Sequence, residues 1–130
     1  MNKSKTNKAQ KQYLKSKILT ASPAELILIL YDGYIQFCNQ AISAIQKDEY
    51  EEANNKIQKA ERIIGELKIS LNFKYSTAQD FDRIYTYILR RLHEANVHKD
   101  IDILKECIIH IKELKETWKQ VMKKTKEKNN

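Results

Sequence analysis

The imidazole and thiol side chains that could ligate a metal or take part in catalysis are His93, His98, His110, Cys38 and Cys107. A di-metal centre in a helical protein needs inward-facing glutamates and Glu-x-x-His pairs on two helices. Here the three histidines fall off the apolar stripes described below, which themselves hold no carboxylate. Neither His93-Glu94 nor Glu106 with His110 makes a ligand set at metal spacing. The two cysteines fall on apolar helical faces with no Cys or His at ligand spacing, so they read as buried thiols in a reducing compartment. A disulfide or metal site is the weaker alternative. No glycine-rich phosphate loop, nucleophile motif or Cys-x-x-Cys occurs. The expectation is a protein without catalytic residues, cofactor or metal, whose working chemistry is that of apolar surface.

That surface has to be positioned by helices. In 130 residues there are only two Gly and one Pro, while charged residues make up 32%. Few breakers and many charged helix formers predict one all-α domain. The clearest start is Thr20 to Gly33, TASPAELILILYDG. Ser22 is placed as an N-cap, Pro23 at the first helical position and Glu25 at the third, a capping box. The helix it opens is predicted to run from Pro23 to Lys47, with a core stripe of Ile27, Tyr31, Tyr34, Cys38, Ala41 and Ile45. Leu26, Leu30 and Phe37 widen that stripe on one flank and Leu28, Ile35 and Ile42 on the other, while Ile29 points away and is expected to be exposed. Asp32-Gly33 reads as helix interior because the period continues through it.

Asp48 is expected to cap a second helix, with a stripe of Tyr50, Ala53, Ile57, Ala60, Ile64, Leu67 and Leu71. After a connection at Asn72 to Tyr75, Ser76 or Thr77 is expected to cap a third. It carries Ala78, Phe81, Tyr85, Ile88, Leu92 and Ala95 and ends near Asn96. Asp100 is expected to cap a fourth, with Leu104, Cys107, Ile108, Ile111, Leu114, Trp118 and Val121 inward and Ile109 outward. Short connections make the helices antiparallel neighbours. The expected architecture is an antiparallel up-down four-helix bundle over residues 21–123 with a short N-terminal accessory segment. Residues 1–20 are expected to be a flexible basic segment, irregular over 1–12 and carrying a short amphipathic stretch at Tyr13, Leu14, Ile18 and Leu19. Residues 124–130 are expected to form a disordered basic tail.

The net charge of +7 sits in the ends: +6 over residues 1–22 and +4 over 119–130, leaving −3 on the body. Basic tails allow loose contact with nucleic acid, but the body offers no basic groove, so no specific nucleic acid is expected. A nucleic-acid-associated bundle working through its tails is the alternative function. No apolar run spans a bilayer and no signal-peptide core follows the N-terminal lysines, so no membrane insertion and a cytoplasmic location are expected. The broad apolar arc of the first helix, with Ile29, Ile69, Tyr87 and Ile109 on outer faces, leaves two readings open. The bundle satisfies itself, or it has grooves for amphipathic helices of a partner.

Several of these residues together resemble a known family. Tyr13, then Thr20-Ala-Ser-Pro-Ala-Glu-Leu26, then Leu30-Tyr-Asp-Gly33 is similar to the flagellar secretion chaperone family FliS. The resemblance continues through Asn55-Lys-Ile57, Ala60, Ile63-Ile64, Ile84-Tyr-Thr-Tyr87, Leu92, Ala95-Asn96, Leu104, Leu114 and Trp118. It departs at Asn72 to Thr77, where the family often has a glycine pair. The resemblance implies a cytoplasmic bundle that is not an enzyme, binds the disordered C-terminal segment of flagellin, prevents premature polymerisation and supports delivery to the flagellar export apparatus. It further implies that the N-terminal segment occupies part of the flagellin surface when flagellin is absent. On that basis Leu26, Ile29, Leu30, Gly33 and Phe37 are expected to line one groove, with Tyr87 and Ile109 as further contacts and Tyr13, Ile18 and Leu19 as the N-terminal cap.

Overall fold

The computed structural model describes residues 2–129, and the burial of side chains from residue 8 to 126. Five helices follow in order: α1 Asn2–Thr20, α2 Pro23–Gln46, α3 Tyr50–Ile69, α4 Thr77–His98 and α5 Ile101–Asn129. α2 packs on α3 and α5, and α4 packs on the same two, so α2 and α4 face each other across the diagonal of an antiparallel four-helix bundle. The fold is all-α, as the three-four stripes predict.

The ends of the chain differ from the sequence expectation. Residues 2–12, expected to be irregular, are the first part of α1, and α5 continues to Asn129 through the stretch expected to be a disordered tail. Lys, Gln and Ala have good helix propensity and no Gly or Pro interrupts either stretch, so local preference suffices without burial. The described side chains of α1 are exposed from residue 8 through Thr20. Residue 130, the last of the expected tail, lies outside the described residues.

Capping explains where α2 begins. The Ser22 hydroxyl accepts the Glu25 backbone N–H at 3.1 Å, and Pro23 takes the first position, where a missing N–H is harmless. Asp100 does the same for α5, its carboxylate accepting from the N–H groups of Asp102 and Ile103 at 2.9 and 3.2 Å. One expected cap is corrected, and one holds in position only. Glu49, not Asp48, precedes α3, and it makes no side-chain cap bond; Ser76 precedes α4 in a helical conformation, also without one.

Asp48 instead ends α2. Its φ of 59° is left-handed, Glu49 N–H donates to Ala44 C=O at 2.8 Å, and Asp48 N–H donates to Ile45 C=O at 3.0 Å. This is a Schellman closure with aspartate where glycine is usual. Lys99 plays the same part after α4 at φ 51°, with Asp100 N–H on Ala95 C=O. A sequence whose two glycines both lie inside helices must turn its corners on other residues.

The buried core follows the stripes: Tyr31, Tyr34, Cys38, Ala41, Ala44 and Ile45 from α2; Ala53, Ile57, Ala60, Ile64 and Leu67 from α3; Tyr85, Ile88, Leu92 and Ala95 from α4; Leu104, Cys107, Ile108, Ile111 and Leu114 from α5. Tyr50 and Val121 depart from expectation. Tyr50 is 50% exposed, its hydroxyl donating to Asp48 at 2.9 Å, because it starts α3 beyond the covered part of the bundle. Val121 is exposed because α5 outruns its neighbours. Ile27, Phe81 and Trp118 are only partly buried but pack against the core.

The left-handed Asp48 gives a test of this corner. Asp48→Gly should hold or raise the thermal midpoint, whereas Asp48→Val, branched at Cβ, should cost about 1–2 kcal/mol in chemical denaturation. Equal stability of the two variants would contradict the turn.

Candidate partner-binding surface

Leu26, Leu30, Gly33 and Phe37 recur at steps of four, three and four, one side of the core stripe of α2. The structure turns that side toward α3. A Cβ on Gly33 would meet the Ile63 side chain at 3.6 Å, and the ammonium groups of Lys56 and Lys59 lie 5.8 and 5.6 Å from the centre of the Phe37 ring. Leu30 and Phe37 are partly buried and pack on the core; Leu26 and Ile29 are partly buried outside the core cluster. Ile29 is thus half-buried rather than exposed as the helical wheel predicted. It stands on the same outer flank as Leu26 and Gly33, where neighbouring side chains shade it. Leu26, Leu30, Gly33 and Phe37 share one side of α2 and are all partly buried, with Ile29, also partly buried, beside them.

Tyr87 and Ile109 do not join them. They belong to α4 and α5, and Tyr87 is built into a polar cluster across that seam. Glu106 accepts from the Tyr87 hydroxyl at 2.9 Å, from Arg91 at 2.8 and 3.2 Å, and contacts His110 Nε2 at 3.0 Å. The Tyr87 and His110 rings meet edge-on at 5.5 Å, and the Arg90 guanidinium lies 5.3 Å from the Tyr87 ring centre. Hydrogen bonds from Arg91 above all, with those from Tyr87 and His110, hold the Glu106 carboxyl down to about 2 from 4.5. The same bond to Glu106 raises the Tyr87 phenol. Ile109 is 54% exposed on the outer face of α5. Tyr87 and Ile109 are therefore a separate patch, and the cluster beside them couples α4 to α5.

A cavity at one end of the bundle has no counterpart in the sequence reading. It encloses about 470 Å³ between the start of α2, the α3–α4 connection and the end of α5, and its walls include Ile27, Leu71, Tyr75, Phe81, Trp118 and Val121. It exists because α5 continues past the bundle end while α3 and α4 turn back. Trp118 fixes the overhanging helix by donating its indole N–H to the Ala24 carbonyl at 2.9 Å. No signal in the sequence could have found this cavity, because spacing carries no information about where neighbouring helices end. Its floor is Tyr31 and Tyr85, whose hydroxyls share a hydrogen bond at 2.6 Å; burial is the main reason both phenols titrate above their ordinary value.

The expected cap residues Tyr13, Ile18 and Leu19 are exposed on α1 together with Leu14, and none is seated on the α2/α3 strip. Cys38 and Cys107 are buried, and burial pushes each thiol up to about 12, which makes both poor nucleophiles. Among the described residues, no group of three or more His, Cys, Asp or Glu side chains could hold a metal ion, and no helix is long and apolar enough to cross a membrane.

The Glu106 cluster predicts a pH signature. A carboxylate with a depressed pKa stabilises the fold above its unfolded value and loses that contribution as pH falls through the folded one. The thermal midpoint of Glu106→Gln should lie a few degrees below that of the parent at neutral pH, with the gap closing between pH 4.5 and about 2. A gap independent of pH would contradict it.

Known proteins resemble this chain along nearly all its length. The profile of a family described as flagellar protein FliS matches residues 5–125. The flagellar secretion chaperone FliS of Bacillus subtilis (strain 168) is 34% identical over 110 residues, covering 85% of this chain and 83% of the relative. The flagellar secretion chaperone FliSB of Pseudomonas aeruginosa is 33% identical over 117 residues, covering 85% and 93%. A crystal structure of a bacterial flagellar chaperone superposes with a TM-score of 0.73 over 92% of this chain and 98% of the other, at 16% identity, and so shares the fold. With matches of this extent, the chain belongs to the FliS family of flagellar secretion chaperones.

Proposed function

We propose that this chaperone binds the disordered C-terminal segment of flagellin in the cytoplasm, keeps it from polymerising early and supports its delivery to the flagellar export apparatus. The observation that carries the reading is the α2/α3 strip. Leu26 and Ile29 are half-buried without packing on the core, so their apolar area is available to a partner at no cost to the bundle. A segment that is disordered when free loses conformational entropy as it binds, and apolar burial has to outweigh that loss. Leu30, Gly33 and Phe37 extend the contact on the same side of α2, with Ile63 of α3 packed against Gly33. Tyr87 and Ile109 offer a second contact on the α4/α5 side for a segment long enough to wrap the bundle. Tyr13, Ile18 and Leu19 cover part of the apolar surface until flagellin displaces them, which lowers apparent affinity in proportion to the covered fraction.

The basic tails do not favour a nucleic-acid role. The charges lie on two helices, α1 and the end of α5, and no observed feature reads bases or tracks a phosphate backbone.

Calorimetry with a peptide from the flagellin C-terminus tests the reading. Binding at micromolar or tighter concentration is expected, with a negative heat-capacity change from apolar burial. Ile29→Asp, outside the core, should weaken binding at least about tenfold with the thermal midpoint nearly unchanged, because it puts a charge into the contact. Absence of heat with the parent chain would contradict the proposal. Deleting residues 1–19 should speed or tighten flagellin binding; identical rate and affinity would remove the cap from the account.

A further inference from the structure

We propose that the end of the bundle carrying the α3–α4 connection docks peripherally on an anionic lipid bilayer. Its lysines meet the headgroups, and its exposed apolar tips enter the boundary between headgroups and acyl chains. Ile69, Phe73 and Tyr75 are 80%, 58% and 67% exposed, three large apolar side chains close together, with Lys74 between the two rings. The backbone that presents them is tied down. The Asn72 carboxamide oxygen accepts the Lys74 N–H at 3.0 Å and the Asn72 carbonyl accepts the Tyr75 N–H at 3.1 Å. The Tyr75 carbonyl in turn accepts the Ala78 N–H at 3.1 Å as α4 begins. The connection is a bonded turn with its large side chains left in solvent.

α5 brings the charge. Ser70, Asn72 and Tyr75 share the walls of the end cavity with Val121 and Thr125, so the overhanging part of α5 lies beside the connection. From residue 119 to 126 that part carries Lys119, Lys123, Lys124 and Lys126, all exposed, and no acid. Lys119 also meets Glu116 at 3.5 Å. α1 joins α2 at the same end and adds Lys8, Lys11, Lys15 and Lys17, again without an acid. The opposite end has the other sign, with Asp48, Glu49, Glu51 and Glu52 at the α2–α3 corner and Asp100 and Asp102 where α5 starts. Charge is polarised along the bundle axis, so an anionic plane draws in the lysine-rich end first. Clustered lysines bind acidic lipids through the surface potential, and aromatic rings settle at headgroup level. A single strand of nucleic acid is held in a basic groove that tracks its backbone. Here the tips project from the end of the bundle, which suits a plane. Among the described residues no helix is long and apolar enough to cross a membrane, so the attachment is peripheral. The proposal stands whether or not the client is flagellin.

Cosedimentation of the full chain with vesicles at low salt tests it, using phosphatidylcholine alone and phosphatidylcholine mixed with phosphatidylglycerol. Binding is expected to the mixed vesicles and not to the neutral ones, and it should fall as salt is raised. Ile69→Ser with Phe73→Ser, exposed positions outside the cavity walls, should weaken binding at least about tenfold with charge and thermal midpoint unchanged. Lys123→Glu with Lys124→Glu should weaken it at least about as much. Lys47→Glu with Lys105→Glu, the same change of charge at the opposite end, should leave binding within about twofold of the parent. Lack of binding to the mixed vesicles, equal binding to the neutral ones, or equal losses from charge reversal at either end would each overturn the docking surface. Parent-like binding by the Ile69 and Phe73 variant would overturn it too, leaving charge attraction alone. So would a chain that takes up duplex DNA but not the mixed vesicles, which would return the basic ends to nucleic acid.

Discussion

Two tyrosine hydroxyls inside the bundle have to be satisfied, and the placement of α2 depends on how. Tyr31 and Tyr34 are fully buried, and a phenol carried into an apolar interior costs stability unless its hydroxyl finds a partner. Tyr31 finds Tyr85 across the diagonal at 2.6 Å, and Tyr34 finds the Cys107 carbonyl at 3.3 Å. The first bond sets α2 against α4 and the second sets it against α5. With α2 fixed from two directions, its rotation about its own axis is no longer free. That rotation turns Gly33 and Phe37 toward α3 and leaves Leu26 and Ile29 outside the core cluster.

The same rotation accounts for the two-sided character of α2. Its inner stripe is consumed by the bundle, and its outer flank is shaded but not covered. A helix apolar over so wide an arc is a liability in a monomer, since exposed apolar strips invite association. In the proposed function that flank is the surface a partner covers. The body around it carries a mild negative charge and the ends a strong positive one.

Much of this was legible in the chain itself. The four helices, the Ser22 and Asp100 caps and nearly every core residue follow from three-four spacing and capping chemistry. Where the reading failed, the cause is specific. Asp48 looked like an N-cap because aspartate is favoured there, but the turn needed a left-handed residue and no glycine was at hand. Tyr50 and Val121 continue their stripes past the point where neighbouring helices end, and spacing carries no information about where a partner stops. Ile29 is shaded by side chains that a helical wheel does not contain. The α1 helix and the end of α5 are lysine-rich and free of breakers, and they are helical although nearly all of their described side chains are exposed. Among the candidate site residues, the grouping of Leu26, Leu30, Gly33 and Phe37 was visible as a stripe. The separation of Tyr87 and Ile109 from it was not, because membership of a seam is set by which helices are neighbours. The end cavity is a property of unequal helix lengths and could be seen only in three dimensions.

The central claim is that the α2/α3 strip takes up a partner while the tyrosine-pinned core stays in place. Backbone amide chemical shifts followed by NMR as a flagellin C-terminal peptide is added test this most directly. The account predicts the largest changes from Leu26 to Phe37 and around Ile63, with the amides of Ile88, Leu92 and Ile111 little moved. Changes confined to the basic ends, or spread evenly through the core, would contradict it.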